Sequence, residues 1–183
     1  MLRRRIGQFA LGILLLAALG CKGHPELSKT NDKNSSEWKR LEAIGTLSIY
    51  SIASGNRIDT PGGEKIPGLG ISCASDYHTI EVDVTTGFEP ETGAVKFGFG
   101  GRLSQKNWDV KTDQVRDRTI FTLIPPDADQ ADILRQLRQS KEFEFEFTPK
   151  GGKPQRSRFK LLNINTLIDQ DKICKAAALP ASS

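Results

Sequence analysis

Glu142-Phe143-Glu144-Phe145-Glu146-Phe147-Thr148 alternates carboxylate and aromatic ring without a break. A β-strand sends successive side chains to opposite faces, so the three phenylalanines share one face and the three glutamates the other. Past Pro149, Gly151, Gly152 and Pro154 comes Arg156-Ser157-Arg158-Phe159-Lys160-Leu161, a natural antiparallel partner. In one register Glu146, Glu144 and Glu142 face Arg156, Arg158 and Lys160, and Phe159 and Leu161 then join the phenylalanine face. A slip by one residue would turn every side chain to the wrong side, so this register is the one expected. Each exposed charge pair contributes about 0.2–1 kcal/mol, so the pattern specifies register more than stability.

Strands continue upstream of this hairpin. Leu47-Ser48-Ile49-Tyr50-Ser51-Ile52 alternates, and Leu69-Gly70-Ile71-Ser72-Cys73 and His78–Val84 read as a second hairpin turning at Ser75-Asp76. Val95–Phe99 and Thr119–Ile124 are two more. The Gly- and Pro-rich residues 54–68, and residues 100–117, read as long loops. After Pro125-Pro126, Asp127 is placed to cap a helix with Gln130 three residues on, and Ile133, Leu134 and Leu137 line one face. A short helix near Asn165–Lys172 would deliver Cys174 to the core. The expected class is α+β: a mostly antiparallel sheet, one mid-domain helix, a short C-terminal helix and one disulfide.

The N-terminus has a different character. Arg3, Arg4 and Arg5 precede an uncharged apolar run from Phe9 to Leu19, shorter than the roughly 20 residues needed to span a bilayer as a helix. Such a run is the core of an export signal. Ala17-Ala18-Leu19-Gly20-Cys21 fits a lipobox, in which the Cys21 thiol carries a diacylglycerol and the new N-terminus a further acyl chain such as palmitate. Ala18-Leu19-Gly20 also fits an ordinary small-x-small cleavage site, so simple secretion stays open. The expected organisation is a lipoprotein signal peptide over 1–20, a polar tether over 21–37, a single β-rich domain over 38–178 and a tail over 179–183.

Removing residues 1–20, which hold 3 arginines and no acid, leaves 23 basic and 22 acidic side chains. The pI near 9 of the whole chain therefore belongs largely to the signal, and no nucleic-acid partner is expected. With Cys21 lipidated, Cys73 and Cys174 remain to pair in an oxidising compartment.

Residue types suited to catalysis are sparse in the domain. His78 is the only histidine in the domain and is expected on the apolar face of its strand with Ile80, Val82 and Val84. Glu81 and Asp83 share the other face, where a solvated role is expected and a carboxylate pair is the alternative. No metal site, cofactor or catalytic set is expected. Phe97-Gly98-Phe99-Gly100-Gly101-Arg102 lacks the GKS/T ending of a phosphate loop. Its glycines suggest close sheet packing or a bulge. Phe99, Arg102 and Trp108 form a candidate aromatic-plus-arginine binding surface, with core packing as the competing role for both aromatics.

Taken in order, the Leu69-to-Cys73 strand, the Val95–Phe99 strand, Trp108, the Ile133–Leu137 helix, the Phe-rich strand ending Thr148-Pro149, the Phe159–Leu161 strand and the final Cys174 form a pattern. It resembles the VasI-type exported accessory proteins associated with type VI secretion and their uncharacterised relatives. The resemblance implies a fold and, as an expectation, a secretion-accessory role. The function expected is a lipid-anchored, non-enzymatic protein that binds or scaffolds another envelope component. Lys22 after the lipid cysteine favours the periplasmic face of the outer membrane over the inner membrane. An envelope hydrolase using Asp83, Glu81 or His78, and an inhibitor inserting its 54–68 or 100–117 loop, are the alternatives.

Overall fold

The computed structural model describes residues 38–60 and 63–177, with the side chains of 41–44, 59 and 60 left aside. The expected signal peptide, Cys21, the tether and the tail 179–183 lie outside the described residues.

Two antiparallel sheets enclose the core. The first has six strands in the order β1-β2-β5-β6-β10-β9: β1 (Lys39–Ile44), β2 (Leu47–Ala53), β5 (Gly68–Ala74), β6 (Thr79–Thr85), β9 (Asp109–Val115) and β10 (Arg118–Ile124). The second has four, β12-β11-β7-β8, from β7 (Pro90–Phe99), β8 (Arg102–Asn107), β11 (Glu142–Pro149) and β12 (Gln155–Lys160). A small hairpin, β3 (Ile58–Thr60) with β4 (Gly63–Lys65), stands apart. Helix α1 (Asp127–Gln139) follows β10, and α2 (Ile164–Gln170) and α3 (Lys172–Ala177) close the order. The class is the α+β one expected.

The β11–β12 register pairs Glu142 with Lys160, Glu144 with Arg158 and Glu146 with Arg156, as the alternation requires. Phe143, Phe145 and Phe147 are buried with Phe159, and they meet Leu69, Ile71, Val82, Val84 and Leu123 of the first sheet in one core. On the outer face the ions also pair diagonally: Arg158 reaches Glu142 at 2.6 Å and Glu144 at 2.8 Å, and Glu146 holds Arg156 at 3.1 Å and Lys96 at 3.0 Å.

Several expectations are corrected. Residues 54–68 are not a plain loop, because they fold into β3–β4 with Ile58 fully buried. Residues 100–117 are not a long loop either. They form β8 and β9, which bend from one sheet into the other at Trp108, whose backbone N–H donates to Gly93 O at 2.7 Å. The expected helix over Asn165–Lys172 is two short helices broken at Asp171, which is extended (φ −77°, ψ 120°). His78 precedes β6 rather than lying in it: a 3-10 turn over Ser75–Tyr77 exits through His78 in the left-handed conformation (φ 49°), leaving the imidazole exposed.

Two amide side chains stand in for missing strands. β10 pairs with β6 only at Thr85 and Val84. Just beyond, Gln130 Oε1 accepts from Val82 N at 2.7 Å and Gln130 Nε2 donates to Val82 O at 3.2 Å. This replaces the capping box expected of Gln130, and the helix start carries no side-chain cap. On the outer edge of β12, Asn56 Nδ2 donates to Arg156 O at 2.7 Å and Arg158 N donates to Asn56 Oδ1 at 3.0 Å. Buried backbone polar groups need partners, and an amide offers a donor and an acceptor at the spacing of a peptide.

Candidate functional site

The β7–β8 hairpin turns through Gly100 and Gly101, both at positive φ (72° and 92°), a conformation glycine adopts without steric cost. The turn sets Phe99 directly opposite Arg102. A Cβ on Gly98 would fall 1.9 Å from Arg102 O, and one on Gly93 would fall 2.1 Å from Trp108 O. Both glycines are therefore demanded by the close approach of the neighbouring backbone, the role that alternation with phenylalanine suggests for Gly98.

Helix α1 lies beside this hairpin, with Ile133 and Leu137 buried in the core. Between them runs a groove of about 340 Å³ lined by Phe97, Phe99, Arg102, Ser104 and Lys106 from the hairpin and Asp129, Asp132, Ile133 and Gln136 from the helix. Arg102, Ser104 and Lys106 recur at every second residue, so all three present to the groove. Lys106 Nζ sits 3.2 Å from both Asp129 oxygens. Asp132 is held by Arg135 and, at 2.7 Å, by Gln136, and those bonds lower its carboxyl below the ordinary range. The Arg102 side chain is exposed and makes no ion pair with the described residues. The groove is thus an apolar floor with balanced charges along the helix and one uncommitted guanidinium beside the half-buried Phe99.

Trp108 does not belong to this surface, and its place in the candidate patch is corrected. It is buried between the sheets, with ring centroids 5.1 Å from Phe97 and 5.2 Å from Phe145. The bend that carries β8 into β9 turns this side chain inward while Arg102 stays outside. Phe99 packs against Phe143 at 5.3 Å and keeps part of its ring accessible.

The Glu81–Asp83 face is not the solvated one expected. Asp83 is 2 % exposed, and its Oδ1 has no hydrogen-bond partner. It lies across Gly70 on the neighbouring strand, where a Cβ would come within 2.7 Å of its carboxylate. Burial, and then the charge of Glu81, push the Asp83 carboxyl up to about 7, against a smaller opposing pull from Lys111. Glu81 is raised as well, chiefly by burial. His78 takes no part, since its Nδ1 lies 3.2 Å from Ala176 O.

A third constellation was missed in the sequence. Asp171 Oδ2 accepts from Tyr50 OH at 2.5 Å and Ser48 Oγ at 2.8 Å, and pairs with Arg40 at 3.0 Å. Its Oδ1 accepts from the backbone N–H of Ile173 at 2.7 Å and of Cys174 at 3.1 Å, so it caps the start of α3. Burial would raise this carboxyl, but the bonds from Tyr50, Ser48 and the two N–H groups outweigh it and hold it low. Burial, then the bond to Asp171, raises the Tyr50 hydroxyl. Three residues on, Cys174 bonds Cys73 with S–S 2.06 Å. The one sequence signal for Asp171 was its place just before a short apolar turn ending in that cysteine, the position of an N-cap.

Among the described residues, no His, Cys, Asp and Glu group is disposed to hold a metal ion, and no helix is long and apolar enough to cross a membrane. Compared with models of known protein families, with curated proteins and with solved structures, the chain matches none.

Proposed function

We propose that the protein is an exported, lipid-anchored, non-enzymatic component of the cell envelope that binds or scaffolds another envelope protein, with the α1/β8 groove as its binding surface. The observation that carries this reading is the Cys73–Cys174 disulfide. Structural disulfides persist in oxidising compartments. With two of the three cysteines so committed, Cys21 at the end of the lipobox is the thiol left for a lipid. An accessory role in secretion, of the kind the VasI-type resemblance implies, is one form of this function. The periplasmic face of the outer membrane is the preferred location.

The test is labelled-palmitate incorporation and fractionation of wild type and Cys21→Ser, followed by crosslinked pull-down from envelope fractions. Incorporation lost in Cys21→Ser, together with specific recovery of one envelope protein, supports the proposal. No incorporation in wild type, or equal solubility of both forms, sinks the anchor.

A second reading, an envelope hydrolase acting on peptidoglycan or glycan, draws on Asp83 alone. A carboxyl near 7 with a free oxygen is the kind of group that serves as a general acid. An unchanged cellular phenotype on replacing Asp83, Glu81 and His78 together by alanine, with the fold retained, would end that reading.

A further inference from the structure

We infer that the groove between β8 and α1 takes an extended polypeptide segment of the partner as an added strand, with a carboxylate of that segment seated on Arg102. The inference rests on the binding function proposed above and names the chemistry of its ligand.

Three observations converge on it. First, the fold closes other strand margins with side chains: Asn56 covers β12, and Gln130 covers the part of β6 that β10 leaves unpaired. That leaves β8 in the four-stranded sheet and β1 and β9 in the six-stranded one. Among the described residues no amide side chain closes β8 in that way. An open edge offers N–H and C=O groups in a row and is a template for strand addition.

Second, a helix runs beside that edge and leaves room. The groove of about 340 Å³ has β8 as one wall, α1 as the other and Phe97, Phe99 and Ile133 as apolar floor. A strand laid along β8 would turn alternate side chains into it, so the pocket would read every second residue of the ligand.

Third, the charges choose among segments. Lys106 is already neutralised by Asp129, and Asp132 by Arg135. Arg102 alone presents an uncompensated guanidinium, at the hairpin end and opposite Phe99. A planar guanidinium recognises a carboxylate through two parallel N–H donors, and the neighbouring ring suits an apolar residue next in the alternation.

The experiment is selection of a displayed library of random eight-residue peptides on the full-length protein in detergent micelles. The winning peptide is then titrated against variants. The expected outcome is enrichment of Asp or Glu at one position. Arg102→Ala should weaken binding at least tenfold, and Arg102→Lys should restore part of it. N-methylation of the peptide backbone should abolish binding at every second residue and be tolerated at those between, a signature that charge attraction alone does not give. Failure to select a binder, equal binding by Arg102→Ala, N-methylation without alternation, or occupation of the edge by a second copy of the chain each overturns the inference. If the envelope pull-down still recovers a partner in that event, the binding function stands and only its mode falls.

Discussion

Asp83→Asn isolates the least comfortable group in the molecule. The carboxyl rises from an ordinary 3.8 to about 7 on folding, because burial penalises the charge and Glu81 repels it. A raised folded value means the native state binds the proton more tightly than the unfolded chain does. The native state therefore bears no cost from Asp83 below about pH 4, where both states are protonated. From there to about pH 7 each unit of pH costs about 1.4 kcal/mol, and above pH 7 the loss levels off. The full span is roughly 4 kcal/mol, a large share of the stability of a domain this size. Asparagine has the same shape and cannot ionise, so its stability should lack this slope. Glu81 moves in the same direction and is present in both proteins, so the comparison cancels most of it. Urea unfolding followed by tryptophan fluorescence, with Trp38 and Trp108 both buried reporters, gives the free energy at pH 4.5, 6, 7 and 8. The variant should gain about 3–4 kcal/mol on wild type between the first and last pH and be the more stable protein at pH 8. A difference constant within 1 kcal/mol over that range refutes the account of Asp83 as an uncompensated buried acid.

Three other outcomes follow from the same structure. Replacing Cys73 and Cys174 by alanine opens a bridge spanning 101 residues and should cost roughly 4–5 kcal/mol in the chain-entropy account, read as a lower urea midpoint that reductant no longer changes. Gln130→Leu leaves the Val82 N–H and C=O without partners and should cost about 1–3 kcal/mol, with faster exchange at the Val82 amide than at its neighbours on β6. Gly98→Ala forces a Cβ into Arg102 O, so thermal unfolding should show a loss of about 1–3 kcal/mol, whereas Gly152→Ala, with 3.2 Å to its nearest neighbour, should cost less.

What the sequence made legible follows from where the physics is local. The β11–β12 hairpin could be read to the residue because both faces of both strands are patterned, and burial and charge agree on one register. β8 and β9 could not, because edge strands with mostly exposed side chains carry no alternation, and the backbone pairing that makes them strands depends on β7 and β10. Asp83 looked solvated because its strand alternates. Its burial depends on the absence of a side chain at Gly70, a neighbour 13 residues away in sequence. Gln130 looked like a helix cap because the cap motif is local, whereas Val82 lies 48 residues upstream. The hairpin half of the groove was visible in the Phe99-Gly100-Gly101-Arg102 turn. The helix half was not, since nothing in residues 127–139 states which strand they will lie against.

The order of manufacture gives the Asp171 cluster a further meaning. Ser48 and Tyr50 are made more than 120 residues before the carboxylate that joins them, and Cys73 is made 101 residues before Cys174. At about 5–20 residues per second, β2 and β5 wait on the order of ten seconds for the segment that clasps them. A chain that holds only the first strands can pair them but not fasten them. The clasp closes only when α3 appears, so any nascent form truncated before Asp171 lacks both the acid and the sulfur bridge. Once it does, β5 and the final helix are tied by a covalent bond.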